Sequence, residues 1–188
     1  MNRLHQWVCR SEGWQKFLEG QLLPWVLKDV ELGRDLLEIG PGPGLTTDLL
    51  RSRVERLTTI EIDPGFAEPL KQRMDGTNVT VVQGDAAKMP FESASFSALV
   101  CFTMLHHVPS PALQDCLLQE ARRVLRPGGI FVGTDSIWSV PLWLFHLGDT
   151  LVAVNPRTLP ARLEAAGFAD VHIEAKKTRF RFSARRPN

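Results

Sequence analysis

Two adjacent histidines, His106 and His107, are the side chains in this sequence best suited to move a proton near neutral pH. They follow an apolar run at residues 96–101, so they stand where a predicted strand ends and a loop begins. An imidazole at such a junction can act as a general base on a bound substrate. It can also simply hydrogen-bond the backbone, which is the commoner role, and the sequence leaves both open.

The other histidines form no recognisable metal-ligand pattern. His5, His146 and His172 are widely dispersed, and none of the three cysteines belongs to a CxxC pair. We therefore expect neither a metal site nor a disulfide framework. Unpaired thiols fit a reducing compartment, and the first ten residues lack the apolar core of a signal peptide, so a cytoplasmic protein is predicted.

A glycine-rich turn, Gly40-Pro41-Gly42-Pro43-Gly44, directly follows an apolar segment. Glycines let the chain turn tightly and approach a ligand, and the first amides of a following helix are left facing that ligand. The dinucleotide-binding fingerprint is Gly-x-Gly-x-x-Gly, and Leu45 stands where it needs its third glycine. The loop is therefore not expected to bind the pyrophosphate of a dinucleotide. Glu38, just before the loop, adds a negative charge that suits a cationic ligand.

Short apolar runs alternate with helical segments from residue 36 onward, which predicts an α/β fold with helices on both faces of a mostly parallel sheet. The predicted parallel strands are residues 35–39, 57–62, 79–83, 96–101 and 130–135. The predicted helices are residues 46–53, 66–73, 111–125 and 158–166. Two alternating segments, residues 170–175 and 178–184, predict an antiparallel C-terminal hairpin that completes a seven-stranded sheet.

Two further segments are expected to lie around the ligand crevice. Residues 1–31 are rich in tryptophan and spaced like one or two amphipathic helices broken at Pro24, which predicts an N-terminal helical cap. Residues 136–155 carry more apolar surface than a connection needs, which fits a substrate lid, a helix packed on the core or a dimer contact. Polar residues interrupt this segment, so no membrane span is expected. Since no linker divides the chain, residues 1–188 are predicted to form one domain.

The chain resembles the class I S-adenosylmethionine-dependent methyltransferases, whose motif I is matched by Glu38-Ile39-Gly40-Pro41-Gly42-Pro43-Gly44. Four more segments match in the family's order, so that the resemblance covers residues 34–186: Ile60-Glu61-Ile62-Asp63-Pro64, Gln83-Gly84-Asp85-Ala86, Leu125-Arg126-Pro127-Gly128-Gly129 and Leu163-Glu164-Ala165-Ala166-Gly167-Phe168. The resemblance implies a Rossmann-like core, residues 34–186, that binds S-adenosylmethionine and releases S-adenosylhomocysteine.

The resemblance also implies roles for single residues. Glu61 would hold the ribose hydroxyls, Ile62 would pack on the adenine, and Asp85 would lie near the adenine amino group. Together, the implied cofactor residues are Glu38, Gly40, Pro41, Gly42, Gly44, Glu61, Ile62, Gly84, Asp85, Ala86, Cys101 and Phe102.

The implied reaction is an in-line displacement at the sulfonium methyl, with His106 and His107 as candidate catalytic bases and a small, partly apolar molecule as the acceptor. A protein that binds the cofactor without transferring the methyl, as a partner or sensor, stays an alternative. A nicotinamide dehydrogenase is opposed by Glu38 and by the glycine missing at position 45.

Motif I and the segment after the second predicted strand are also similar to the ribosomal RNA adenine dimethyltransferases. Those enzymes carry an Asn-x-Pro-Tyr-like or Asn-x-Pro-Phe-like motif after the fourth strand, where this chain has Phe102-Thr103-Met104-Leu105. The net charge is only +1, and the basic residues near the C-terminus fit the charged face of an edge strand. We therefore do not expect a nucleic-acid partner, while a homodimer stays open.

Overall fold

The computed structural model describes Val8 and residues 11–188. His5 and the remainder of the first ten residues of the predicted cap lie outside the described part. Seven strands form one sheet in the order β3-β2-β1-β4-β5-β7-β6. The strands are β1 Asp35–Ile39, β2 Arg56–Glu61, β3 Val79–Gln83, β4 Phe96–Phe102, β5 Leu125–Ser136, β6 Ala169–Ala175 and β7 Arg179–Arg185.

The first five strands are parallel to their neighbours, and β7 runs antiparallel between β5 and β6. The predicted α/β class, with a mostly parallel seven-stranded sheet and an antiparallel C-terminal hairpin, is confirmed. The helices are α1 Glu12–Phe17, α2 Leu23–Val26, α3 Leu45–Leu50, α4 Pro64–Arg73, α5 Pro111–Val124, α6 Val140–Phe145 and α7 Leu159–Ala165.

Helices cover both faces of the sheet because successive strand residues point to opposite sides. On one face, Leu37 and Leu99 share a buried cluster with Leu117 of α5 and Leu163 of α7. On the other face, the neighbouring strand residues pack against α2, α3 and α4, and the buried residues of that cluster include Leu22, Leu23, Leu36, Leu50, Leu70 and Val100. Nearly continuous burial along β1 and β4 follows from this double cover.

The N-terminal helical segment does not break at Pro24, contrary to the sequence prediction. The chain stays helical from Glu12 to Val26, with one π-helical stretch, Leu18–Leu22, between α1 and α2. A proline ring clashes with the carbonyl four residues earlier and removes one hydrogen bond. The wider π turn directly before Pro24 replaces that normal α-helical spacing, so the helix continues.

A second difference lies at the start of β5. Leu125 is already extended (φ −74°, ψ 138°) and pairs with Phe96, so the strand begins before the Pro-Gly-Gly turn that was expected to separate helix and strand. Arg186 binds the end of α5, because its Nη1 donates to the carbonyl oxygens of Arg123 (3.0 Å) and Leu125 (2.5 Å).

Other basic residues near the C-terminus also have partners within the chain. Arg181 donates to the Glu174 carboxylate (2.8 Å), and the Lys176 ammonium lies 4.1 Å from the centre of the Trp25 ring. Several of these basic side chains therefore hold β6, β7 and the N-terminal helices together, which leaves fewer of them for a polyanion.

The order of the strands reverses between β1 and β4, which are neighbours in the sheet although two strands separate them in the chain. The loops after these two strands therefore diverge and open a crevice at their carboxyl ends. Among the described residues, no helix is both long enough and apolar enough to cross a membrane.

Candidate functional site

A cavity of about 360 Å³ occupies the crevice at the carboxyl ends of β1, β2 and β4. Its volume lies at the lower end of the range for small-molecule sites. One end is formed by the glycine loop and by the residues that follow β2 and β3. The other end is formed by residues 102–104 and 107–109 at and after the end of β4, by α5 and by the N-terminal helical segment. The wall there includes Trp14, Leu18, Met104, His107, Val108, Leu113 and Leu117.

The glycine loop has a backbone that other residues rarely adopt. Gly40, Gly42 and Gly44 have φ values of +66°, +54° and +85°. A Cβ at Gly40 would clash with Met104, and one at Gly44 would clash with Leu70, so these two glycines allow close packing within the protein. A Cβ at Gly42 would meet nothing within 4 Å, and Gly42 lines the cavity. The cavity is therefore open directly against the Gly42 backbone.

Glu61 ends β2 with its carboxylate at the cavity wall. Its Oε2 accepts a hydrogen bond from the Gly42 N–H (2.9 Å) and its Oε1 accepts one from the Asp63 N–H (3.0 Å). Burial raises the pKa of Glu61, and these two N–H donors oppose that rise. Each carboxylate oxygen keeps further acceptor capacity, which suits a ligand that carries neighbouring hydroxyl groups.

Glu38 lies behind the glycine loop and does not line the cavity, although it was predicted as a cofactor residue. It is buried, and it accepts hydrogen bonds from the hydroxyls of Thr46 and Thr47 (2.6 Å for Thr47) at the start of α3. Burial raises the pKa of Glu38 to about 7, against the lowering effect of these two bonds. The geometry shows a buried carboxyl that ties β1 to α3 beneath the loop.

The remaining predicted cofactor residues divide into two groups. Gly40, Pro41, Gly42, Ile62, Gly84, Asp85, Ala86 and Phe102 line the cavity together with Glu61. Ile62 is 65% exposed, so its side chain offers an apolar surface to a ligand. Asp85 accepts from the Ala87 N–H (2.8 Å) through Oδ1. Gly44 and Cys101 are absent from the wall, and Cys101 is fully buried, which raises the pKa of its thiol.

The two predicted catalytic histidines differ in their surroundings. His107 lines the cavity, whereas His106 is buried beside it. His106 Nδ1 contacts Oδ1 of Asp135, and the His106 backbone N–H donates to Oδ2 of the same carboxylate (3.0 Å). His106 is thus held in one orientation by the fully buried end of β5.

A third histidine, directly after the end of α6, reaches the same place. His146 Nε2 lies 3.2 Å from His106 Nε2, and His146 Nδ1 is 2.8 Å from the carbonyl oxygen of Leu142. Burial lowers the pKa of His146. His146 and Asp135 were not predicted as site residues. The position of Asp135 at the end of β5, next to β4, was the one signal in the sequence that could have placed it beside His106.

The segment 136–155 contacts the cavity with few of its residues. Asp149 and Thr150 line the wall, whereas the large apolar side chains at positions 138, 140, 143, 144 and 147 are at least half exposed. Met104, Trp14 and Leu18 line the wall and were also missed, because nothing in their local patterns separates a cavity wall from a core.

Comparisons with known proteins agree with this geometry. A family model described as a methyltransferase domain matches residues 37–133, about half of the chain. A probable S-adenosylmethionine-dependent methyltransferase of Mycolicibacterium smegmatis is 31% identical over 147 residues, which are 72% of this chain and 52% of that protein. A fatty-acid O-methyltransferase of the same organism is 33% identical over 125 residues, 64% of this chain and 44% of that protein.

A probable ribosomal RNA small subunit methyltransferase A of Thermococcus onnurineus is 45% identical over 107 residues, 51% of this chain and 39% of that protein. The chain thus spans about half the length of the curated relatives it matches, or less. The crystal structure of the PH0226 protein from Pyrococcus horikoshii OT3 superposes with a TM-score of 0.80 at 16% identity, covering 96% of this chain and 94% of that one. This chain belongs to the class I S-adenosylmethionine-dependent methyltransferase family.

Proposed function

We propose that the protein transfers the methyl group of S-adenosylmethionine to a small, partly apolar acceptor. The observation that carries this proposal is one cavity with two unlike ends: the glycine loop and Glu61 at one, and His107 within an apolar wall at the other. A cofactor along the loop would present its reactive end toward the second half of the same cavity.

The residues at the loop end fit this cofactor. The space next to Gly42 admits a close ligand, the Glu61 carboxylate can accept from the two ribose hydroxyls, and exposed Ile62 can cover one face of the adenine. Asp85, two residues after the end of β3, is the candidate acceptor for the adenine amino group. Bound there, S-adenosylmethionine supplies an electrophilic methyl group on a sulfonium.

The protein's contribution to the transfer is mainly alignment, which can lower a barrier by up to about 7–11 kcal/mol in well-oriented systems. An alcohol, phenol, thiol or acid must also lose its proton before or during the attack. His107 is the proposed base because it is the histidine that lines the described cavity, and His106, held by Asp135, lies directly against it with ring centres 4.3 Å apart.

We infer the acceptor class from the lining of the second end, where Met104, Val108, Leu113 and Leu117 favour apolar groups. The name of the fatty-acid O-methyltransferase relative supports an apolar acceptor with an ionisable oxygen.

The ribosomal RNA relative gives reason to include RNA as a competing acceptor. The structure favours the small molecule, because Thr103 and Met104 stand after β4 at the cavity wall and several C-terminal basic side chains bind within the chain. A homodimer and a cytoplasmic location stay predictions.

A direct test combines the purified protein with methyl-labelled S-adenosylmethionine and separate pools of fatty acids, phenols, thiols, amines and small-subunit ribosomal RNA. We expect label in a small-molecule pool, and a much lower yield with Glu61→Gln than with the control Glu164→Gln, which changes an exposed carboxylate on α7. Label in RNA alone would replace the proposed acceptor. Tight cofactor binding without transfer to any pool would favour a cofactor-binding partner or sensor.

A further inference from the structure

The cluster formed by His106, His107 and His146 has a property that the proposed methyl transfer does not require. One ring nitrogen from each of the three lies within 4.8 Å of the other two, although His146 is 40 residues from His106 in the chain. No metal site was expected from the sequence because His5, His146 and His172 are dispersed along the chain; in the folded structure, His146 lies beside His106 and His107.

The hydrogen bonds of the two buried rings determine which nitrogens face each other. The Leu142 carbonyl oxygen can only accept, so His146 Nδ1 carries the proton. His106 Nδ1 faces the Asp135 carboxylate and donates to it. In these tautomers, both Nε2 atoms have their lone pairs on the sides that face each other at 3.2 Å. Two such lone pairs repel, and a positive charge between or beside them would stabilise the arrangement.

That charge can be a proton or a metal ion, and the surroundings favour the ion. Two nitrogens bound to one tetrahedral zinc at about 2.0–2.1 Å lie about 3.3–3.4 Å apart, close to the observed 3.2 Å. His107 supplies the third nitrogen of the cluster. A shared proton would need only two of the three rings.

Asp135 supports the same interpretation. In metal sites, the histidine ligand commonly donates its second ring N–H to a carboxylate, which fixes the tautomer and makes the ligand nitrogen more basic. The Asp135–His106 contact has this arrangement, and Asp135 is fully buried, so its negative charge would partly offset that of a bound cation.

We propose that His106, His107 and His146 form a binding site for a divalent transition-metal ion of the zinc class, oriented by Asp135. Imidazole ligands suit zinc, copper and nickel better than magnesium or calcium. Three protein ligands leave one position of a tetrahedral ion unfilled, and we expect it on the side of His107, the ligand that lines the cavity. Metal binding can be measured without any acceptor, so this site is tested separately from the methyl transfer. His107 is a ligand when the ion is bound and can act as the proposed base only in the metal-free protein.

The test starts from full-length protein stripped with a chelator and shown to be folded by its binding of S-adenosylhomocysteine. Titration with cobalt(II), which absorbs visible light strongly in four-coordinate sites, is expected to develop a band with one ion per chain, and zinc is expected to displace it. The variant His146→Gln should lose at least 100-fold in zinc affinity. Asp135→Asn should lose about 10- to 100-fold. The matched control is His172→Gln, an exposed histidine on β6, which should bind like the wild type.

A zinc absorption-edge spectrum of the wild type tests the ligands without any variant, in case His146→Gln does not fold. Scattering from several imidazoles and no sulfur is expected. Three results would overturn the proposal: no cobalt band in folded protein, an unchanged affinity in folded His146→Gln, or sulfur ligands. Failure of methyl transfer with the cobalt band intact would count only against the proposed function.

Discussion

Gly42 offers the sharpest test of where the cofactor lies, because the chain contains a matched glycine away from the cavity. Gly42 (φ +54°) and Gly76 (φ +71°) both have left-handed backbones, and a Cβ at either would meet nothing within 4 Å. Gly42 lines the cavity, whereas Gly76 lies in the exposed turn between α4 and β3. The variants Gly42→Ala and Gly76→Ala therefore impose the same kind of backbone strain and differ in what the new methyl group meets.

We expect both variants to lose about 1–2 kcal/mol of unfolding free energy, the cost of placing a side chain in the left-handed region. Only Gly42→Ala should weaken cofactor binding, since its methyl group enters the space next to the loop. A methyl group forced into a packed contact costs about 1–3 kcal/mol. That corresponds to about 5- to 150-fold in the dissociation constant of S-adenosylhomocysteine.

Urea unfolding gives the first quantity and isothermal titration with S-adenosylhomocysteine gives the second. If the two variants bind S-adenosylhomocysteine equally well while losing equal stability, the ligand does not lie against Gly42. The cofactor placement would then be refuted, although the fold would stand.

Three further predictions concern residues around the loop. Glu61→Gln should weaken the binding of S-adenosylhomocysteine by about 1.5–3 kcal/mol, the value of a hydrogen bond to a charged group. Wild-type affinity in a titration of this variant would show that the ribose does not bind Glu61. Ile62→Ala should leave the unfolding free energy unchanged, because the side chain is exposed. The same variant should bind the cofactor less tightly by about 1 kcal/mol. A loss of stability without a loss of affinity would contradict the role of Ile62 against the adenine. Glu38 has a folded-state pKa of about 7, raised by burial above its ordinary 4.5, so its contribution to stability is full below pH 4.5 and is lost as the pH rises through 7. The unfolding free energy, measured with urea at pH 5 and at pH 8, should therefore differ between the two pH values by up to about 3 kcal/mol less in Glu38→Gln than in the wild type. The same difference in both proteins would mean that Glu38 stays ionised.

The sheet was predictable because its strands are short, apolar and separated by clear turn residues. The almost fully buried β1 and β4 are largely apolar runs, and the alternation of Phe180 and Phe182 with arginines correctly marked β7. Pro24 was misinterpreted because the sequence does not show that the preceding turn widens to a π helix.

Most residues that line the glycine-loop end of the cavity were predictable, because they follow consecutive strand ends and meet at one edge of a parallel sheet. The orientation of Glu38 was not predictable, because a strand residue next to a loop can face either side. Only the positions of Thr46 and Thr47 in the folded chain determine that its side chain turns inward. The contact between His106 and His146 depends on how residues 136–155 fold back over the sheet, and no local pattern carries that information.

A crystal structure of the protein with S-adenosylhomocysteine would test the central claim most directly. We predict that the ligand lies along residues 40–44, with its ribose hydroxyls within hydrogen-bonding distance of Glu61, its adenine against Ile62 and its sulfur directed toward His107. A ligand bound elsewhere, or bound in this cavity with its adenine at the His107 end, would contradict that claim.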